Sequence, residues 1–268
     1  MNKKLIIGII IGLILGSISV YAGSKFYASD VSVDSPVWSN LGSNATIQNA
    51  LDDLYSKINS YTKLYSNGTA IYYNPTTGEK CTSSSAVSTT GTKNGCMKWY
   101  TFNDSEGNTT VNLILDHNTT ARIAYNSTGN NSEMNEVAKQ LINDTKAWKN
   151  AARLITANEV AKISGNTSFD ASKTGQSWFY FGSNNQSDTS KRSDYGWLYD
   201  RTRSDCETYG CLNNADQDTW GYWTSTANVG SSANAWLVIR DGFLTNYPVT
   251  YTGRGVRPVI SVSKSIIK

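Results

Sequence analysis

The C-terminal part of the chain constrains the fold most strongly, because short apolar strands alternate there with turn residues. The stretch 234–249, NAWLVIRDGFLTNYPV, contains two strand-like runs joined by Asp241-Gly242. An Asp-Gly pair between two such runs is a strong signal for a β-hairpin. The segment 255–263, GVRPVISVS, predicts one last strand. We therefore expect an antiparallel sheet that is completed by the end of the chain.

The aromatic residues of this region divide into two groups by strand parity. Trp223 and Trp236 lie on predicted strands, and we expect both to be core residues because large rings dominate a small core. Trp220 and Tyr222 have the opposite parity to Trp223 and are expected to face outward.

Four other residues of this region are predicted to serve the framework. Gly221, Gly242 and Gly255 indicate tight turns or close backbone approach. Arg257, which precedes Pro258, is expected to pair internally.

The N-terminus has the pattern of an export signal. Lys3 and Lys4 precede an apolar run over 5–20 and the small-residue ending VYAG, which is typical of a secretory signal peptide. Residues 1–22 are thus either a signal cleaved after Ala22 or a retained membrane anchor. In both cases we expect the remainder to be secreted or anchored on the extracellular face of a bacterial cell.

Residues 23–62 are interpreted as an extended linker followed by a short amphipathic helix over 44–58. Ile47, Leu51, Leu54 and Ile58 are spaced by four, three and four residues, which places them on one apolar seam of a helix. Two interpretations stay open for this seam. It docks on the chain's own domain, or it forms a stalk that makes a homo-oligomer.

Residues 63–268 are predicted to form one domain. The stretch 96–119 has the pattern of a β-hairpin, with Val111, Leu113 and Leu115 on one face. Helical spacing of apolar residues predicts a helix over 132–143. Thr156 and Glu159 predict a second helix that begins with a capping box. Between residues 165 and 218 the apolar residues show no helical or strand periodicity. The aromatic clusters of this segment favour an ordered loop region.

This order of elements resembles the C-type lectin-like fold of exported bacterial surface proteins. The motifs that carry the likeness are GYWTSTA (221–227), NAWLV (234–238), DG (241–242), GVRPVI (255–260), LILDHNTT and RLITANEVAKI. The closing motifs are also similar to the C-terminus of diversity-generating retroelement variable proteins. The resemblance covers about residues 65–266. It implies an α+β domain with two helices, a small antiparallel sheet and a long ordered loop region, in which framework residues support variable ligand-binding loops.

Aromatic and amide side chains on the last loops are the candidate ligand contacts, because tyrosine and asparagine suit adaptable recognition surfaces. The ligand is expected to be a protein or a glycan at the cell surface. The candidate residues are Tyr222, Asn228, Asn234, Asn246, Tyr247, Tyr251 and Arg254. A solvated polar surface without a ligand is the alternative.

Four cysteines in an exported chain suggest disulfides. Of the three connectivities, we favour the local pairs Cys81–Cys96 and Cys206–Cys211. The oxygen-bearing loop with Asn213, Asn214, Asp216 and Asp218 could supply ligands for calcium. A solvated loop without a metal is the other interpretation, and no other cofactor is expected.

Catalysis is not indicated by the residue pattern. The single histidine, His117, follows Asp116 without a nucleophile elbow, and we expect it to be structural. A formylglycine-generating oxidase of lectin-like fold is kept as an alternative, although Cys206 and Cys211 match that family poorly. The net charge of +3 includes Lys3 and Lys4, so nucleic acid is not expected as a partner.

Overall fold

The computed structural model describes residues 46–82, 95–130, 135–176, 178–184, 186–199 and 219–268. These residues form a mixed α+β structure with two mostly antiparallel sheets. The helices are α1 (Ile47–Thr62), α2 (Glu136–Thr145), α3 (Ala157–Ile163) and a 3-10 helix (Arg192–Leu198). The strands are β1 (Ala70–Asn74), β2 (Glu79–Lys80), β3 (Met97–Phe102), β4 (Thr110–Leu115), β5 (Thr120–Ile123), β6 (Trp178–Tyr180), β7 (Gly221–Ala227), β8 (Asn234–Ile239), β9 (Phe243–Pro248), β10 (Arg254–Val256) and β11 (Val259–Ser263).

The chain divides into two compact units between Ile58 and Asn59, inside α1. The helix predicted over 44–58 is present and extends to Thr62. Thr46 directly precedes the helix, and the Asn49 carboxamide oxygen accepts bonds from the Thr46 N–H at 2.9 Å and from its hydroxyl at 2.7 Å. The Asn49 N–H in turn donates to the Thr46 hydroxyl oxygen. These reciprocal bonds explain why the helix starts after Thr46. Oligomerisation through α1 stays a prediction.

The first sheet of the second unit has the strand order β11-β4-β3-β1-β2 and is antiparallel throughout. Its β3–β4 pair confirms the hairpin predicted over 96–119. Val111, Leu113 and Leu115 are buried in one core cluster, whereas Ile114 between them is buried in another. Both faces of this strand are therefore covered.

The second sheet has the order β5-β10-β7-β8-β9-β6, and only its β10–β7 pair is parallel. Trp236 and Val238 on one face of β8 share a core with Val160 of α3 and with residues of the first sheet. Leu237 on the opposite face shares another core with Val137 of α2. Because both faces are covered, this sheet has no fully solvated side.

The chain passes from one sheet to the other twice, and these two crossings join the sheets. Residues 116–119 connect β4 to β5, and Arg257-Pro258 connect β10 to β11. The crossings are hydrogen-bonded at both ends, from Leu115 N–H to the Pro258 carbonyl at 3.0 Å and from Thr119 N–H to the Val256 carbonyl at 2.8 Å. The single last strand expected over 255–263 is therefore wrong: it is two strands in two sheets, separated at a proline that has no N–H for a ladder.

Arg257 holds this crossing together from inside. Its guanidinium is fully buried and donates to the carbonyls of Leu115 at 2.6 Å and Asp116 at 3.2 Å. It also donates to the carbonyls of Trp197 and Leu198 at the end of the 3-10 helix. The expectation that Arg257 pairs internally is confirmed.

The predicted helices after the first hairpin are both present. The helix expected over 132–143 runs from Glu136 to Thr145, and the Asn135 side chain caps it by accepting from the Ala138 N–H. The capping box of Thr156 and Glu159 is confirmed at the start of α3. Glu159 is also held by two bonds from Arg153, at 2.8 and 2.6 Å.

The framework role of the C-terminal aromatic and glycine residues is confirmed. Trp223 and Trp236 are buried, on opposite faces of the second sheet. Gly221 has a φ of 131°, and a Cβ there would lie 1.9 Å from the Val238 carbonyl oxygen, so only glycine fits. The Asp241-Gly242 turn joins β8 to β9 as expected.

The disulfide between Cys81 and Cys96 is present. Cys206 and Cys211 lie outside the described residues. In the region 165–218, the described part contains β6, which pairs with β9, and the 3-10 helix. It is therefore ordered there, as its aromatic clusters suggested.

Candidate functional site

Three of the predicted ligand residues come together between the end of β9 and the start of β10. The rings of Tyr247 and Tyr251 are in edge contact, with their centroids 5.1 Å apart. The Arg254 guanidinium carbon lies 5.3 Å from the centre of the Tyr247 ring and 4.9 Å from that of Tyr251. Tyr247 remains 41% exposed and Tyr251 39% exposed, whereas Arg254 is only 3% exposed. The two tyrosines thus form the outer cover of a buried cation.

Gly253 allows this arrangement by its lack of a side chain. A Cβ on Gly253 would lie 2.5 Å from a ring carbon of Tyr251, which is far inside van der Waals contact. The Gly253 carbonyl accepts the Trp220 N–H at 3.1 Å and a bond from Nη1 of Arg254, also at 3.1 Å. One residue therefore makes room for the Tyr251 ring and joins Arg254 to the start of β7.

A second cation–aromatic pair lies next to the first. Arg240 places its guanidinium carbon 3.7 Å from the centre of the Trp220 ring, and Trp220 is still 41% exposed. The Arg240 N–H donates to the Trp220 carbonyl at 3.1 Å. The expectation that Trp220 faces outward is confirmed. We call these five residues the aromatic–arginine surface: Trp220, Arg240, Tyr247, Tyr251 and Arg254.

Arg254 differs from Arg257, three residues later, in how its donors are used. Arg257 donates to four carbonyls, whereas the buried Nε of Arg254 has no hydrogen-bond partner among the residues that the structure describes. Burial lowers the pKa of Arg254. The attraction to Tyr251 and Tyr247 opposes this shift, and the positive charge of Arg240 adds to it. The environment of Arg254 thus disfavours an uncompensated positive charge.

The predicted amide contacts form a separate group, in which Asn234 and Asn246 lie on the face of the second sheet opposite to that of Tyr247. The Asn234 side chain donates to the Asn246 carboxamide oxygen at 3.0 Å, across the β8–β9 pair. Asn228 accepts the Gly230 N–H at 2.7 Å and so shapes the β7–β8 turn. All three asparagines are partly exposed, so each can still offer polar atoms to a ligand.

The loop between Asn228 and Asn234 is held from below by Asn130, which sequence reasoning did not identify. The buried Asn130 side-chain nitrogen lies within hydrogen-bonding distance of the carbonyls of Asn228 (2.9 Å), Ser231 (2.8 Å) and Asn234 (2.6 Å). Since these acceptors come from one short loop, Asn130 fixes its shape. A polar residue after Gly129 carries no local signal of this contact, which spans about a hundred positions.

Tyr222 does not belong to the surface. The expectation that it faces outward is wrong, because it is fully buried and its hydroxyl donates to the Leu198 carbonyl at 3.0 Å. Arg257 lies over its ring at 5.0 Å. Tyr222 therefore packs between the second sheet and the 3-10 helix, where no surface ligand reaches it.

The calcium ligands proposed from sequence, Asn213, Asn214, Asp216 and Asp218, lie outside the described residues. Within the described ranges, no group of three or more histidine, cysteine or acidic side chains is arranged to hold a metal ion.

A cluster of polar residues surrounds the only histidine. His117 is buried next to Asp116, whose carboxylate lies 3.9 Å from the Lys98 amine. Lys98 lies over the Tyr100 ring at 5.0 Å, and burial raises the pKa of Tyr100 against the opposing effect of Lys98. Asp116 and His117 stand where the chain crosses from β4 to β5, and the Asp116 N–H donates to the Lys98 carbonyl of β3 at 3.0 Å.

Comparison with known proteins gives no further assignment. No protein-family model matches the chain, and neither a curated protein nor a solved structure matches it. Among the described residues, no helix is both long enough and apolar enough to cross a membrane.

Proposed function

We propose that this chain is an exported bacterial binding module of C-type lectin-like fold, without catalytic activity, that recognises a protein or glycan through its C-terminal loops. The observation that carries the proposal is the pairing of Tyr247 and Tyr251 over Arg254. Two large rings stay about two-fifths exposed, Tyr247 at 41% and Tyr251 at 39%. Exposed aromatic residues beside a charged residue are typical of recognition surfaces.

The surroundings of this pair favour recognition over a passive surface. The rings are fixed by contact with each other and by the close approach at Gly253. On the other face of the sheet, the amides of Asn234 and Asn246 are fixed by their mutual hydrogen bond. A preorganised surface loses little conformational entropy on binding, and tyrosine and asparagine are common in such surfaces.

An array of glycans and surface proteins, probed with the full-length protein in detergent, tests this function. The double variant Tyr247→Ala/Tyr251→Ala is expected to lose the binding that the wild type shows. Tyr55→Ala is the matched control, because Tyr55 is exposed on α1 and lies outside the surface. Binding that survives the double variant, or no binding to any array member, would contradict the proposal. The same array with EDTA tests the calcium hypothesis.

A second candidate, a structural fibre component, is supported by the 16-residue helix α1. The measurement that separates it from the first is the mass of the protein in solution. A trimer that Leu51→Asn/Leu54→Asn converts to a monomer supports the fibre. A monomeric wild type contradicts it.

A further inference from the structure

A buried lysine faces a buried aspartate at one end of the first sheet. The Lys264 side chain is 1% exposed and that of Asp104 is 0% exposed, and Nζ of the lysine lies 2.8 Å from Oδ1 of the aspartate. Lys264 directly follows β11, and Asp104 lies in the turn after β3. Because β4 lies between these two strands in the sheet, the pair bridges the two neighbours of β4.

This contact is not an ordinary hydrogen-bonded ion pair. Although they are 2.8 Å apart, neither Nζ of Lys264 nor Oδ1 of Asp104 has a hydrogen-bond partner among the residues that the structure describes. The nitrogen therefore approaches the oxygen away from the line of a hydrogen bond. Two buried charges without such bonds are costly to keep, and a reaction that removes both charges would relieve this cost.

The two side chains are close enough to form an amide. The carboxyl carbon Cγ of Asp104 is one bond from Oδ1, so it lies at most about 4 Å from Nζ of Lys264. A fixed approach of two reacting groups replaces much of the entropic cost of bringing them together. Exclusion of water from both side chains also removes the solvent that would hydrolyse the product.

Tyr65 fixes the carboxyl group of Asp104 from the other side. Its N–H donates to Oδ2 at 2.9 Å, and its hydroxyl donates to the Ile267 carbonyl, just beyond Lys264, at 3.2 Å. A backbone N–H on Oδ2 stabilises the negative charge that this oxygen acquires when Cγ is attacked. Oδ1 has no such donor within the described part of the chain. Oδ2 is thus placed to remain as the amide oxygen, and Oδ1 to leave.

We propose that Lys264 and Asp104 form an intramolecular isopeptide bond. The lysine ammonium gives one proton to Oδ1, and the neutral amine then attacks Cγ. The bond between Nζ and Cγ forms, a second proton passes from the nitrogen to Oδ1, and the bond between Cγ and Oδ1 breaks to release one water molecule. The reaction changes no oxidation state and needs no further reactant. This covalent site is independent of the proposed binding function.

Mass spectrometry of the full-length protein tests the bond directly. The protein is reduced, denatured and digested with trypsin, which does not cleave after a lysine whose amine is blocked. The expected product is one species in which residues 99–122 are joined to residues 255–268. It should be lighter than the two separate peptides by one water molecule and should account for most of the protein. Fragmentation should place the link at Asp104 and Lys264.

The same digest contains its own control. Lys98 and Asp116 are 3.9 Å apart, and the Lys98 side chain is 25% exposed, so this pair should stay unlinked and trypsin should cleave after Lys98. In Lys264→Met, which removes the amine but keeps an unbranched side chain, residues 99–122 should appear alone. The wild type decides whether or not this variant folds. Only separate, full-mass peptides from the wild type, or a link that persists in Lys264→Met, would overturn the inference.

Discussion

The Arg254 guanidinium lies 4.9 Å from the centre of the Tyr251 ring. In this contact the exposed tyrosine ring covers the buried charge of the arginine. Arg257, three residues later, is buried as deeply but has its donors on backbone carbonyls. Neighbouring arginines of one segment therefore have different tasks. Arg257 stabilises the crossing between the two sheets. The buried Nε of Arg254 has no hydrogen-bond partner among the described residues and lies beneath two exposed tyrosines.

Gly253→Ala should weaken ligand binding without unfolding the protein. The new Cβ meets the outer atoms of the Tyr251 ring at 2.5–2.8 Å, and a side-chain end can swing away where a backbone could not. We expect affinity for the array ligand to fall about tenfold, with thermal stability nearly unchanged. Gly129→Ala is the control, because its Cβ would meet only the Ser232 oxygen at 3.5 Å. Equal affinities for the two variants would contradict the role of Gly253.

Arg257→Lys should destabilise the fold strongly. Lysine has no fork to reach the carbonyls of Leu115, Asp116 and Trp197 together, and buried carbonyls would lose their donors. The expected loss is about 2–4 kcal/mol in the free energy of unfolding by urea. Arg153→Lys, at a partly exposed ion pair, should cost about 1 kcal/mol or less. Similar losses at the two positions would show that the crossing does not depend on Arg257.

Asn130→Ala should loosen the loop between Asn228 and Asn234. Up to three carbonyls would lose the same donor, and we expect a loss of about 1–3 kcal/mol. Amide hydrogen exchange should rise in residues 228–234 more than in β8. Asn126→Ala, which removes a bond to the Gly129 carbonyl only, is the matched control. Unchanged exchange in the loop would exclude Asn130 as its support.

Glu159 should make stability depend on acid pH. Burial alone would raise the pKa of Glu159, but Arg153 and the N–H and hydroxyl of Thr156 more than reverse this and hold it below its ordinary value of 4.5. The ionised form therefore stabilises the folded state above pH 4.5, and this contribution is lost as the pH falls through the lowered pKa. Urea unfolding of the wild type and Glu159→Gln should differ at neutral pH and converge in acid. A difference that is constant with pH would refute the linkage.

Local chemistry made part of this fold predictable. The capping box at Thr156 and Glu159 and the Asp241-Gly242 turn each act within a few residues, so the sequence pattern is sufficient to place them. Trp223 and Trp236 were predictable as core residues because rings of that size on short strands need burial.

Tyr222 shows where this reasoning ends. Strand parity correctly places Tyr222 and Trp223 on opposite faces of the sheet. Parity does not state whether either face is exposed to solvent. Both faces of the second sheet are covered, one by α2 and the other by α3 and the first sheet. Sequence reasoning also missed the contact of Arg240 with Trp220 and the bonds from Asn130 to the loop between Asn228 and Asn234. Both contacts join segments that are distant in the sequence.

The most direct test of the account is an oxidative footprint of the full-length protein with and without a ligand identified on the array. The account predicts that the bound ligand protects Trp220, Tyr247 and Tyr251, while Tyr55, which is 70% exposed, stays equally reactive. Protection elsewhere on the described residues, with these three side chains unchanged, would contradict it.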